Sequence, residues 1–286
     1  MALREDERPD PRVETRASRI LGGGGAGRSL TIAGLSTAVV FAVLVLVVVN
    51  SPGWNEVREA FFYGPEFRES LPDIAEAFRK NVQLFLIAEV FILVLGLVLA
   101  VMRSLPGPVF FPLRLLSAAY TDVFRGIPTI LLIFLLGFGA PALQLEGVPN
   151  SPYFWGVVTL VIVYSAYVAE VYRAGIESVH PSQAAAARSL GLTHVQALRY
   201  VVVPQAVRRV VPPLLNDFIG LQKDTALVAL IGPIEAFRQS QIEVAGSFNY
   251  TPYVATALIF LALTIPMTRL TDTLIARNRR RELARA

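Results

Sequence analysis

The chain contains no cysteine, and only two histidines and two lysines, in 286 residues. Without cysteine there is no disulfide framework, no thiolate nucleophile and no thiolate metal ligand. His180 and His194 stand fourteen positions apart, a poor start for a metal site. Neither Lys80 nor Lys223 falls in a G-x-x-x-x-G-K-[ST] motif, so the chain has no P-loop with which to hydrolyse ATP. Charge is scarce as well. Only 17% of residues are Asp, Glu, Lys or Arg, against about 25% in soluble domains. With 54% hydrophobic residues, that deficit points to apolar surface facing lipid rather than to one large core. The net charge of +4 admits nucleic acid as a partner, but where the charges sit matters more than their sum.

A bilayer core of about 30 Å takes about 20 apolar residues in a helix. Ser29 to Asn55, Gly126 to Leu145, Gly147 to Ala169 and Val244 to Thr268 contain no charged residue, and Asn81 to Met102 contains only Glu89. A sixth stretch, Pro213 to Ile231, carries Asp217, Lys223 and Asp224 among apolar residues. The expectation is an all-α membrane protein of six transmembrane helices. Residues 1–28 form a polar, arginine-rich tail, 29–50 an N-terminal anchor helix, 51–80 an extracytoplasmic loop, 81–268 the transmembrane domain and 269–286 a basic tail. The first span could instead be a signal peptide. Its apolar run is longer than a signal core, however, and "NSPGW" does not resemble a small-residue cleavage site. "GGGGAG" at residues 22–27 precedes a spanning helix rather than following a strand, so it is expected to be a flexible linker.

Cationic residues orient the spans. Twenty of the 26 Lys and Arg fall on one side: in the N-terminal tail, at Arg103, Arg114 and Arg125, between Arg173 and Arg209, and in the C-terminal tail. Five fall on the other side, and Lys223 lies within a span. This places both termini in the cytoplasm.

Residues 181–204 are expected to be a helical pair on the cytoplasmic side. Pro181 suits a first turn. Gly191 suits a left-handed cap, and Thr193 with Gln196 fits a capping box. Val195, Leu198 and Val202 give the second helix one apolar stripe, and Pro204 is expected to end it. Helix, glycine turn and helix also describes a DNA-binding unit. The second helix, however, offers few base-contacting or phosphate-binding side chains. An ordinary loop and a docking element for a cytoplasmic partner are the other readings.

The stretch "GIESVHPSQAAAARSLGLTHVQALRYVVVPQAVRRVVPPLLNDFIGLQKDTALVALIG", Gly175 to Gly232, resembles the inner-membrane permease subunit of a bacterial ATP-binding-cassette importer, polar amino acid uptake branch. That family's cytoplasmic signature is E-A-A, three residues, Gly, nine residues, I-x-L-P. Ala186, Ala187, Gly191 and Pro204 fall on it. Ala185 stands where the family has Glu, and Val201 and Val203 where it has Ile and Leu. "FRGIPTILLIF" from Phe124 and "KDTAL" from Lys223 are similar to the same branch, and the similarity runs roughly from Leu71 to Arg281. The resemblance implies a five-helix permease core with one added anchor, in a bacterial inner or plasma membrane. It implies two ATPase subunits that hold ATP and magnesium, a second permease subunit, an extracytoplasmic solute-binding protein and an amino acid substrate. No cofactor in this chain and no nucleic acid are implied. The helical pair, with Ala185, Ala186, Ala187, Gly191, Leu192 and Pro204, would be the element that couples to the ATPase. An ATP-independent secondary transporter or channel for a small polar solute is the alternative.

The charged span is the chemical centre of interest. Asp217, Leu221 and Asp224 fall at i, i+4 and i+7, with Asn216, Lys223 and Thr225 beside them. Lys, Asp and hydroxyl groups together suit the ammonium and carboxylate of a free amino acid. Equally, Lys223 could form a structural pair with Asp224 or with Glu89, since charges inside a membrane serve either role. Arg125 reads as an interfacial anchor or, less directly, as part of the path.

Overall fold

In the computed structural model residues 26–283 are described. Residues 1–25, which hold most of the expected tail and of its glycine run, lie outside them, as do residues 284–286. The chain divides after Glu59 into two units. The first holds α1 (Ala26–Val49) and most of α2 (Trp54–Phe61). Every side chain from Thr31 to Val49 is exposed, as suits a helix whose solvent is lipid.

The regular elements among the described residues of the second unit are all helices. It comprises α3 (Gly64–Ser104), α4 (Phe111–Gly126), α5 (Thr129–Phe134), α6 (Ala140–Ala142), α7 (Pro152–Glu177), α8 (Pro181–Ser189), α9 (His194–Ala197), α10 (Val203–Asp224), α11 (Ala236–Ser247) and α12 (Thr251–Leu283). The 41 residues of α3 reach about 60 Å at the standard rise, twice a bilayer core. Most of the stretch expected as a loop, 51–80, is helix. Phe67, Leu71, Ile74 and Phe78 recur at helical spacing and pack with Ala236, Ala255, Ile259 and Phe260. The acidic and basic residues between them hide that stripe from a hydropathy average.

The expected span over 126–145 is half of a larger unit. The stretches 108–126 and 129–142 meet at a bend of 101°. Pro128 has no amide hydrogen to continue α4, and the residue before it is driven extended; Ile127 has φ −93° and ψ 130°. A wide π turn, Leu135–Gly139, joins α5 to α6. Four stretches are long and apolar enough to cross a membrane, and the bent pair makes a fifth. The stretch formed by α10 and the 3-10 turn Thr225–Ile231 is not among them, because its charges lower its hydropathy.

Pro204 does not end the helical pair. The chain passes from α9 through a π turn, Leu198–Val202, straight into α10, with Pro204 in the first turn. There its missing donor costs nothing. Pro212 and Pro213 lie inside α10, where each withdraws a donor from the carbonyl four residues back.

The main core gathers Leu84, Ala88 and Ile92 of α3, Leu132 and Ile133 of α5, Leu160, Val163 and Val168 of α7, Leu221 of α10 and Val228 beyond it. The most extensive helix contact is α3 against α7, and Gly96 makes it possible. A Cβ there would lie 2.7 Å from Val168 Cγ1 and 3.3 Å from the Ala169 backbone nitrogen. Gly96→Leu is therefore expected to cost about 1–3 kcal/mol, the usual range for overpacking. Thermal unfolding in detergent should show a lowered midpoint; an unchanged midpoint would mean the two helices separate freely.

Candidate functional site

Three polar constructions stand out along the helices of the second unit. The first is a carboxylate hub. Glu170 of α7 accepts from Arg103 of α3 at 2.7 Å and from Arg173 at 2.7 Å, and Arg125 of α4 approaches to 3.8 Å. Arg103 also donates to Thr121 Oγ1 at 2.9 Å. One carboxylate thus ties three helices through charge-assisted bonds, which are shorter and stronger than neutral ones. Arg125 lies over the Tyr167 ring at 5.6 Å, within cation–π range. Both of its contacts are tertiary. Glu170 escaped the sequence reading because the charge-free stretch ends one residue before it.

The second construction is a cavity of about 190 Å³ lined by Thr129, Tyr164, Tyr167, Asn216, Asp217, Gly220 and Asp224. It is smaller than the roughly 300–1,000 Å³ of drug-sized pockets. Asp217 and Asp224 share it with Gly220, not with Leu221, which is fully buried in the core. Tyr164 Oη donates to Asp224 Oδ2 at 2.9 Å. Asp217 Oδ2 is buried without a hydrogen-bond partner. A neighbouring cavity of about 420 Å³ shares Tyr167 and Asp217 and adds Arg125, Glu170, Ser178 and Arg209. Together the two run from the middle of α7 and α10 toward the helical pair.

The structure divides the residues that the sequence grouped. Lys223 is exposed and lines a different cavity, with Phe237, Tyr253 and Phe260. It forms no ion pair with Asp224 or Glu89 among the described residues. Glu89 stands on α3, close enough to Asp217 for the two charges to act on each other. Thr225 is fully buried and belongs to the third construction. The aromatic hydroxyls of Tyr164 and Tyr167 take the place expected for it, and in an apolar stretch they carry no polar signal.

The third construction is a buried amide–carboxylate network. Asn81 Nδ2 donates to Thr225 Oγ1 at 3.1 Å and to Glu235 Oε2 at 2.7 Å, and Asn81 Oδ1 accepts from the Ala236 amide at 3.0 Å. Glu235 caps α11 by accepting from the Phe237 and Arg238 amides, a stabilising place for a carboxylate. It lies between α10 and α11, outside the candidate spans. Burial raises its carboxyl above the ordinary range, and the bonds from Phe237, Asn81 and Arg238 oppose the shift.

At the helical pair, Leu192 N–H donates to Ala187 O and Gly191 N–H to Arg188 O. This is a Schellman closure, and it needs the left-handed φ of +90° at Gly191. Thr193 N–H donates to Gln196 Oε1, and Gln196 N–H to Thr193 Oγ1, which completes the capping box. Ala185 and Ala186 are exposed, whereas Ala187 is buried. Leu190 is 83% and Val195 70% exposed. Arg209 Nη1 donates to Ser178 O, and this ties α10 to the approach to α8.

A raised carboxyl means the folded chain holds its proton more tightly than the unfolded chain does. The Glu235 contribution should therefore be most favourable in acid and decline as pH rises from about 4.3 through the folded value. Glu235→Gln, uncharged at every pH, should remove that slope. Unfolding midpoints measured across a pH series test this, and parallel curves for the two proteins would contradict it.

Residues 92–280 match the family described as "Binding-protein-dependent transport system inner membrane component". The chain is 34% identical over 225 residues to the probable amino-acid permease protein YxeN of Bacillus subtilis, covering 78% of this chain and 95% of that one. It is 38% identical over 177 residues to the probable glutamine ABC transporter permease protein GlnM of the same organism, covering 61% of this chain and 78% of that one. The solved structure described as an amino acid ABC transporter with histidines superposes with a TM-score of 0.65 at 32% identity, covering 80% of this chain and 99% of that one. With two thirds of its length in one family match and nearly all of a relative's length covered, this chain belongs to the inner-membrane component family of binding-protein-dependent transport systems.

Proposed function

We propose that this chain is the membrane-spanning permease subunit of an ATP-binding-cassette importer for a polar or charged amino acid. The observation that carries the reading is the cytoplasmic pair. It is closed by two independent capping motifs, yet presents Leu190 and Val195 outward. A rigid element with exposed apolar side chains fits a groove on a partner. In this reading the partner is an ATPase subunit, present twice, which binds ATP and magnesium. Relatives bear the names of glutamine, arginine and glutamate permeases, which supports an amino acid as the solute. A second permease subunit and an extracytoplasmic binding protein complete the assembly.

Six spans follow if α10 and the turn after it cross despite their charges, which then face the cavities rather than lipid. With Arg103 and Arg114 at one end and the helical pair at the same end, both termini lie in the cytoplasm. Nucleotide-driven closure of the ATPases would move the pair. Arg209, bonded to Ser178, would pass that movement to the lower cavity.

Leu190→Asp combined with Val195→Asp is expected to leave membrane insertion intact while ATPase capture in mild detergent falls at least about tenfold, the effect of about 1.4 kcal/mol. Undiminished capture would remove the docking role. Transport that needs no ATP, with no ATPase co-purifying, would favour a secondary transporter instead. Because the chain has no cysteine, single-cysteine variants report topology cleanly. Leu145→Cys should react with an impermeant thiol reagent from outside, and Leu190→Cys only after permeabilisation. The reverse pattern would invert the orientation.

A further inference from the structure

Among the described residues, no cation forms an ion pair with either aspartate of the cavity between α5, α7 and α10; Arg125 acts on Asp217, and Lys223 on Asp224, only from beyond ion-pair distance. Asp217 and Asp224 both line it. Among the described residues, the neutral Tyr164 hydroxyl is the hydrogen-bond donor to Asp224 there. Asp217 keeps a buried oxygen, Oδ2, with no hydrogen-bond partner at all. Glu89 adds a third carboxylate within electrostatic reach of Asp217.

The cations nearby are committed elsewhere. Arg125 comes toward Asp217 from the adjoining cavity, but its own ion pair is with Glu170 and its guanidinium lies over Tyr167. Arg103 and Arg173 also bond Glu170. Lys223 lines the aromatic cavity instead. Uncompensated charge in a spanning helix is costly, and a carboxylate there calls for a counter-charge. One ammonium group would answer one aspartate. A solute with two cationic groups answers both.

We propose that the solute drawn into this cavity is a cationic amino acid, its charged side chain and its α-ammonium divided between Asp217 and Asp224, with Glu89 strengthening the field at Asp217. Its carboxylate would lie toward Thr129 and the Arg125 end of the shared space. The proposal rests on the reading of the chain as an amino acid permease and adds the charge class of the solute, which relatives named for glutamine, arginine and glutamate leave open.

The test is uptake of labelled arginine, glutamine and glutamate into proteoliposomes that hold the assembled complex with its binding protein and ATP. Arginine is expected to enter, and neither excess glutamine nor excess glutamate to compete with it. Asp217→Asn is expected to raise the arginine concentration for half-maximal uptake by about 10- to 100-fold, the loss of a charged hydrogen bond. Asp217→Glu should restore most of it. Gel filtration of both variants with their ATPases shows whether assembly survives. If Asp217→Asn does not assemble, Glu89→Gln, which removes charge without lining the cavity, serves in its place and should weaken arginine uptake several-fold. Uptake of glutamine or glutamate in preference to arginine would overturn the charge class while leaving the permease reading intact. Arginine uptake indifferent to the variants would overturn it as well. ATP-dependent uptake of none of the three would count against the permease reading itself.

Discussion

An ionised side chain inside a spanning helix must be given a partner, and the architecture is arranged around that constraint. Glu170 meets it for Arg103, Arg125 and Arg173 at once, so the cations of α3, α4 and α7 are held by one carboxylate. Without that carboxylate, among the described residues, Arg103 would keep its bond to Thr121 and Arg173 its pair with Glu177, but the three helices would lose their common tie. Because the hub fixes α4 against α7, the bend at Pro128 is held as well, and that bend brings Thr129 to the wall of the cavity. Asp217 and Asp224 are the exception, since no cation among the described residues forms an ion pair with either. The same rule that makes the hub structural makes that face a place for a solute.

The two ends of the unit are built differently. At one end Asn81 serves Thr225, Glu235 and Ala236 together. It locks α3, the 3-10 turn after Asp224 and the start of α11 into one piece. At the other end the helical pair is closed within itself by local caps and is joined to the spans through Val179, Val202 and Ala206. The first arrangement fixes helices against one another. The second gives a small rigid body that can move with a partner while keeping its own shape.

Much of this was legible in the sequence. The apolar stretches located α1, α7 and α12, and the capping signals at Pro181, Gly191, Thr193 and Gln196 located the start of the pair and its turn, but not its end. What hydropathy could not convey was helix carried by charged residues. The first half of α3 reads as a loop in the sequence because Glu66, Glu69, Asp73 and Glu76 dilute the stripe of Phe67, Leu71, Ile74 and Phe78. α10 was entered too late because its first turns hold Arg208 and Arg209. In the cavity, one-dimensional spacing placed Asp217 and Asp224 together but also assigned Lys223 to them. One residue is about 100° of helix, enough to send Lys223 to the far side. Tyr164, Tyr167 and Thr129 come from other helices, and only the fold brings them to the same wall. Ala187, counted with the docking alanines, is turned inward, and Leu190 and Val195 are the most exposed large apolar side chains of the pair.

The central claim is that a cytoplasmic partner's nucleotide cycle is transmitted through the capped pair to the cavity. It is tested most directly by ATP hydrolysis in proteoliposomes, measured with and without solute-loaded binding protein on the extracytoplasmic side. The account predicts that loaded binding protein raises hydrolysis and that solute accumulates inside only while ATP lasts. Hydrolysis indifferent to the loaded protein, together with solute uptake that persists without nucleotide, would contradict it.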